Sequence, residues 1–202
     1  MQSEKTIDIY LEAMEVLIHH ILYSRGVYPA QIFKKRRIYN TPVLVSIFPP
    51  LNKYLASVLR SARELLAHQE LLCLEVIIYQ KDNEPLESYQ LQVESLEDPG
   101  SKSAPQDPNL MEYEQQLRSA IYKLSERVKH LPRLSHGRCL FKVHVHTFQD
   151  AFVRLSHDSQ YQEFPYLQIE NFESQAPSQK ISLLPLAKVE NVGLKVQAYI
   201  FG

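Results

Sequence analysis

The sequence LLCLEVIIY at residues 71–79 decides the fold, because it is apolar on both faces except at Glu75. Such a run is typical of a strand in the middle of a sheet, covered on both sides. Residues 81–85 (KDNEP) form a predicted turn, and residues 86–93 (LESYQLQV) then alternate between apolar and polar side chains. The pattern predicts an antiparallel hairpin whose second strand has one solvated face.

Three helical patterns accompany this hairpin. In the first 25 residues, in residues 51–65 and in residues 113–128, apolar side chains recur at spacings of three and four. The first pattern has such a wide apolar face that we expect its helix to pack centrally. Pro49 and Pro50 precede the second pattern and are tolerated at the start of a helix.

The rest of the chain is β-like. Residues 139–148 (CLFKVHVHTF) alternate and predict another strand, and short apolar pieces follow in the last 38 residues. The order of elements predicts an α+β domain with three helices on one face of a mainly antiparallel sheet. Residues 94–108 are rich in proline and acid, and we expect a mobile loop there.

Composition limits the function classes. The chain has 202 residues and a net charge of −1, which fits a single domain over residues 1–202 without the basic excess of most nucleic-acid binders. No apolar stretch approaches the roughly 18 residues of a membrane span, so no membrane association is expected. Cys73 and Cys139 lie in apolar runs and are expected to be buried thiols of a reducing compartment.

Catalytic and cofactor motifs are missing from the sequence. None of the five glycines lies within six residues of another, which excludes the standard glycine-rich nucleotide loops and the nucleophile elbow. No catalytic residue, metal ligand or cofactor is therefore predicted. His144 and His146 share a strand face and are interpreted as a solvent-facing pair. A metal enzyme is the alternative, with Asp150 or His157 as the nearest third ligand.

Residues 34–37 (KKRR) are the one concentrated basic run. We interpret the segment around them as an irregular, solvated loop that Phe33, Ile38 and Tyr39 pin to the body of the domain. A nuclear-targeting signal or a phosphate contact is the alternative. Direct DNA binding through these four charges therefore stays a separate hypothesis, although no sequence-specific nucleic-acid binding is expected.

The segment that contains this run is recognisable. Residues 22–43 read LYSRGVYPAQIFKKRRIYNTPV, and Phe164-Pro165, Leu183-x-Pro185-Leu186 and Gln197-x-Tyr199 follow in order. The series closely resembles the HORMA-domain family, in particular its branch of accessory subunits of translesion DNA polymerase zeta. The likeness covers nearly the whole chain.

The resemblance implies a HORMA fold with a core at residues 1–170 and a C-terminal "seatbelt" at residues 171–202. In this family the seatbelt folds across an extended partner peptide beside the sheet. The implied function is a non-catalytic, nuclear adaptor in translesion synthesis. Its implied partners are the catalytic subunit of DNA polymerase zeta and the C-terminal domain of the deoxycytidyl-transferase translesion polymerase. A role in double-strand-break repair pathway choice or checkpoint control is the alternative within the family.

The resemblance also implies roles for single residues. The residues expected to bind the partner peptide are Tyr54, Tyr166, Pro165 and Val145. The residues expected to dock the second polymerase are Leu183, Pro185, Gln197 and Tyr199. Arg118 matches an arginine that the family uses for pairing with another HORMA domain, so a HORMA dimer is a further expectation.

Overall fold

The structure of the chain is a computed structural model. It describes residues 4–38, 40–80, 84–93, 110–134, 139–158, 166–168, 181–189 and 193–201. Within these ranges the elements are α1 (Glu4–Ser24), a 3-10 turn (Ala30–Ile32), β1 (Phe33–Ile38), β2 (Thr41–Ser46), α2 (Pro49–Ala67), β3 (Leu71–Gln80), β4 (Pro85–Val93), α3 (Leu110–Val128), β5 (Cys139–Thr147), α4 (Gln149–Ser156), β6 (Tyr166–Gln168), β7 (Ile181–Val189) and β8 (Leu194–Phe201). The expected loop at 94–108, Pro165 and the first part of the expected seatbelt lie outside the described residues.

Six of the strands form one sheet in the order β6-β5-β3-β4-β8-β7. All neighbours are antiparallel except β5 and β6, which are parallel. The apolar run at 71–79 forms β3, an interior strand as predicted. Its residues Leu74, Val76 and Ile78 are fully buried beneath the helices. The predicted α+β class with a mainly antiparallel sheet is therefore confirmed.

The first helix occupies the centre of the helical layer. α1 contacts both α2 and α3, and apolar side chains from Ile7 to Leu22 are buried along almost its whole length. The wide apolar face predicted this position, because a helix that is apolar nearly all round has to be covered on several sides. Among the described residues, no helix combines the length and the hydropathy of a membrane span.

The helix count differs from the prediction of three. Residues 149–156 form a fourth helix, α4, directly after β5. This helix has eight residues, and it buries only Ala151 and Leu155. Two buried side chains are too few to produce a recognisable helical period, so the sequence pattern alone did not reveal it.

The structure also corrects the prediction of an irregular loop at the basic run, residues 34–37. Residues 34–37 lie in β1, which pairs with β2 as a separate two-stranded ribbon, rather than in an irregular loop. All four basic side chains are exposed, while Phe33 is buried and Ile38 is half-buried. Since all four side chains are charged and exposed, no alternation of apolar and polar residues marks this strand in the sequence. The apolar ends of β1 still hold the ribbon against the domain, as predicted.

The second strand of the central hairpin is more buried than its alternation predicts. Ser88 and Gln90 of β4 are buried, although they lie on the face expected to be solvated. They face the same side as Glu75 and Ile77 of β3 and as Gln197 and Tyr199 of β8. On this outer face of the sheet the Ser88 hydroxyl donates to the Glu75 carboxylate, and the Gln92 amide donates to the Gln90 side-chain oxygen at 3.1 Å.

A buried ion pair ties α1 to β4. The Arg25 guanidinium donates to both carboxylate oxygens of Glu87, at 2.8 and 2.5 Å, and to the carbonyl oxygen of Pro132 at 2.6 Å. The Tyr89 hydroxyl donates to the same carboxylate at 2.7 Å. The side chains of Arg25 and Glu87 are only 5% and 3% exposed. Such a network joins the first helix, the sheet and the segment after α3 in one place.

Two adjacent histidines of α1 lie inside the protein. His20 Nε2 lies 2.7 Å from the hydroxyl of Ser125 in α3. The ring of His19 meets the edge of the Phe33 ring, with centroids 6.4 Å apart, and its nitrogens have no hydrogen-bond partner among the described residues. Burial lowers the pKa of each histidine to about 4. Both imidazoles are therefore neutral in the folded protein at pH 7.

Because these two histidines are buried in their neutral form, we expect the folded protein to become less stable in acid. Between pH 6.5 and about 4 the unfolded chain binds protons that the folded chain does not, so the free energy of unfolding falls as the pH is lowered. We expect His19→Leu to make this dependence shallower by about 1 kcal/mol per pH unit. Urea unfolding at pH 7, 6 and 5 measures it. Parallel curves for the variant and the wild type would contradict the prediction.

Candidate functional site

One edge of β5 is the feature best suited to bind an extended chain. β5 pairs with β3 along its whole length, but on its other edge it pairs with β6 only at Val145–Thr147 in the described part of the chain. The Val143 amide instead donates to the hydroxyl of Tyr54, at 2.8 Å. Among the described residues no strand pairs with this edge before Val145, and such an edge is a template for an added strand.

An apolar pocket adjoins this edge. It has a volume of about 170 Å³ and is lined by Tyr28, Pro50, Leu51, Tyr54 and Phe141. The Phe141 ring projects from β5, and the Tyr54 and Tyr28 rings meet it nearly edge to face, at centroid distances of 5.7 and 5.9 Å. The pocket is smaller than a typical cofactor cavity and suits a single apolar side chain.

The start of α2 fixes Tyr54 beside the edge. The Ser46 hydroxyl accepts the Phe48 amide at 3.0 Å, and the Asn52 side chain donates to the Ser46 carbonyl, also at 3.0 Å. Pro49 and Pro50 occupy the first turn, where missing amides cost nothing. Burial raises the pKa of the Tyr54 hydroxyl, so this group stays neutral. Its oxygen accepts the hydrogen bond from the Val143 amide.

The other residues expected to bind the peptide are placed differently. The Tyr166 backbone in β6 pairs with Val145 in β5, so this position lies on the same edge as the pocket. Val145 itself is fully buried in the core. Its side chain packs in this core, and its contact with a partner peptide stays a prediction. Pro165 lies outside the described residues.

The four residues expected to dock a second polymerase come together. In the β7–β8 hairpin Leu183 lies opposite Tyr199, and Pro185 lies opposite Gln197. Only Ala198 separates Gln197 from Tyr199 along β8, and it is buried in the core, so Gln197 and Tyr199 share the outer face of the sheet. Pro185 is exposed on an edge strand, just before a break in the pairing register.

Arg118 lies on the exposed side of α3. Its guanidinium is 2.7 Å from the Glu114 carboxylate one turn earlier and 3.4 Å from the Asn40 carbonyl oxygen. The side chain is 53% exposed, so the charge remains accessible. Exposed pairs of this kind contribute little to stability and are readily exchanged for another partner.

The structure corrects the prediction that the two histidines of β5 form a solvent-facing pair. His144 and His146 do not face solvent: His146 is 4% exposed, and its Nε2 lies 2.8 Å from Glu75 Oε2. The third group beside them is Glu75, rather than Asp150 or His157, which are exposed residues of α4 and its end. The one polar residue in the apolar run at 71–79 was the available sequence signal for this cluster.

Comparison with known proteins agrees with this fold. Residues 7–150 match the model of the HORMA domain, and the chain belongs to the HORMA-domain family. Across 200 residues it is 57% identical to DNA polymerase zeta subunit 2 of Drosophila melanogaster, with 99% of both chains covered.

Two solved structures show the same fold. A chain of the mitotic checkpoint complex aligns over 98% of both chains with a TM-score of 0.74 and 19% identity. Caenorhabditis elegans HTP-2, bound to the HIM-3 closure motif, aligns over 96% of this chain and 89% of its own with a TM-score of 0.66 and 15% identity. Because the sequence identities are below 20%, these two likenesses establish a shared fold only.

Proposed function

We propose that this chain is a non-catalytic subunit of DNA polymerase zeta that acts as an adaptor in translesion DNA synthesis. The observation that carries the proposal is the 57% identity to a polymerase zeta subunit over 99% of both chains. The described residues also contain no standard nucleotide loop or nucleophile motif, which is consistent with an adaptor. The nucleus is the proposed location, because the substrate of translesion synthesis is chromosomal DNA.

The first proposed partner is an extended, apolar peptide of the catalytic subunit. It adds to the β5 edge as a strand and places one apolar side chain in the pocket between Tyr28, Tyr54 and Phe141. The sheet order supports this arrangement, since the C-terminal hairpin pairs with β4 at the opposite side and leaves the β5 edge to a partner. The proposed seatbelt, residues 171–202, closes over this peptide.

Co-purification tests the proposal directly. The chain is co-expressed with the polymerase zeta catalytic subunit, and the complex is isolated through a tag on that subunit. We expect a stable one-to-one complex that survives gel filtration. Separate elution of the two chains would contradict the proposed function.

The second proposed partner is the C-terminal domain of the deoxycytidyl-transferase polymerase, docked on the outer face of the β7–β8 hairpin. We expect Tyr199→Ala to weaken this binding by roughly 30-fold or more, since a half-buried tyrosine at an interface centre is a typical hot spot. Binding to the catalytic subunit is expected to stay unchanged, because Tyr199 lies three strands from the β5 edge.

The matched control is Tyr122→Ala, which removes an exposed tyrosine of α3. Isothermal titration with each partner measures both effects. Equal affinities of Tyr199→Ala and Tyr122→Ala for the second polymerase would place its docking surface elsewhere. Pairing with another HORMA domain through Arg118 is a further part of the proposal, supported by the accessible charge of that side chain.

A further inference from the structure

Three chemically active side chains cluster on the outer face of the sheet. Glu75 of β3 lies directly opposite His144 of β5. His146 is two residues further along β5 and points to the same face. One ligand atom from each of the three lies within 4.8 Å of the others. None of the three belongs to the proposed second-polymerase surface of Leu183, Pro185, Gln197 and Tyr199, or to the apolar pocket beside the β5 edge.

The distances suit a small metal ion. Glu75 Oε2 is 2.8 Å from His146 Nε2 and 4.0 Å from His144 Nδ1. Ligand atoms around a tetrahedral zinc ion, with bonds of about 2.0–2.2 Å, lie about 3.3 Å apart. The two measured separations, 2.8 and 4.0 Å, lie on either side of this value.

The protonation states also suit a metal. Burial and the nearby Lys142 charge lower the pKa of His144 to about 4, so its imidazole is neutral at pH 7. Burial alone would raise the pKa of Glu75, but hydrogen bonds from His146 and Ser88 outweigh it and lower that pKa. A neutral imidazole and an ionised carboxylate are the forms that bind a metal.

One buried atom points to a missing ligand. His144 Nδ1 is shielded from water and has no hydrogen-bond partner among the described residues. A buried nitrogen in this state is costly unless something binds it. The Ser88 hydroxyl donates to Glu75 Oε1, the other carboxylate oxygen, and so orients Oε2 toward the histidines.

We propose that Glu75, His144 and His146 bind one zinc ion on the outer face of the sheet, with its fourth position open. Two imidazoles and one carboxylate are a zinc ligand set, whereas calcium and magnesium prefer oxygen ligands only. The three side chains are 13%, 15% and 6% exposed, so the ion is sheltered but can enter from solvent. The site goes beyond the proposed adaptor function and does not depend on it.

Zinc titration of the chelator-treated, full-length protein tests the site. We expect the wild type to bind one equivalent, measured against a chromogenic chelator, and His144→Leu to bind at least about 100-fold more weakly. The matched control is His130→Ala, which removes an exposed histidine after α3 and is expected to bind as the wild type does. Zinc is also expected to raise the thermal unfolding midpoint of the wild type but not of His144→Leu.

Cobalt absorption gives a second readout. A Co²⁺ ion bound by the wild type is expected to show the intense visible bands of tetrahedral coordination. If His144→Leu fails to fold, Glu75→Gln takes its place and is expected to lose the same bands. Less than one equivalent of zinc on the wild type, or undiminished binding by the variant that folds, would overturn the proposal.

Discussion

Replacing Tyr54 by alanine is expected to weaken binding of the catalytic-subunit peptide by at least about 100-fold. The change removes the ring that forms one wall of the apolar pocket and packs edge to face on Phe141. It also removes the hydroxyl that accepts the Val143 amide. Loss of a central aromatic anchor costs roughly 2–4 kcal/mol, and each 1.4 kcal/mol is about tenfold in affinity.

Tyr54→Phe separates the two contributions. It keeps the ring and removes only the hydroxyl, so we expect a loss of about tenfold or less. Fluorescence polarisation with a labelled peptide of the catalytic subunit measures both variants, and thermal unfolding verifies that each is folded. Affinity of Tyr54→Ala within threefold of the wild type would show that the peptide does not use this edge.

Glu87→Ala is expected to lower the free energy of unfolding by about 3–5 kcal/mol. The substitution leaves the Arg25 guanidinium inside the protein with the Pro132 carbonyl as its remaining hydrogen-bond acceptor among those described. It also leaves the Tyr89 hydroxyl without the carboxylate. A buried charge that loses its counterion is among the most destabilising changes known for a single residue. Urea unfolding followed by circular dichroism measures the loss.

A double variant tests the cause of this loss. Arg25→Met/Glu87→Leu removes both charges and fills the space with apolar side chains, so we expect it to be more stable than Glu87→Ala alone. If the double variant is no more stable than the single one, the stranded charge is not the cause of the loss. A loss below about 1 kcal/mol for Glu87→Ala would contradict the role of the ion pair itself.

The long elements were predictable because each has a distinct pattern of apolar residues in the sequence. β3 is apolar on every residue but Glu75 and its last residue, Gln80, and the helices α1, α2 and α3 repeat their apolar side chains over several turns. Burial of the apolar residues of such elements follows from the sequence without knowledge of their neighbours. The resemblance added the pairing of Leu183, Pro185, Gln197 and Tyr199 as one surface, which no local period reveals.

The missed features depend on contacts between distant parts of the chain. Glu75 and His146 are separated by 71 residues, and only the register of β3 against β5 brings them together. The hydrogen bond between Tyr54 and Val143 likewise depends on how α2 lies on the sheet. A strand pattern shows which face a residue occupies, but it does not show which residue lies opposite. The sequence therefore showed that His144 and His146 share a face, but not that Glu75 lies beside them.

The strand order of the sheet has a consequence for synthesis on the ribosome. The last strand, β8, pairs with β4, while the β5 edge is complete once residue 147 has been made. Translation proceeds at about 5–20 residues per second, so β8 follows β5 by roughly 2–10 seconds. In this interval the nascent chain presents an edge that a partner can approach from the side, before the carboxyl-terminal hairpin joins the sheet.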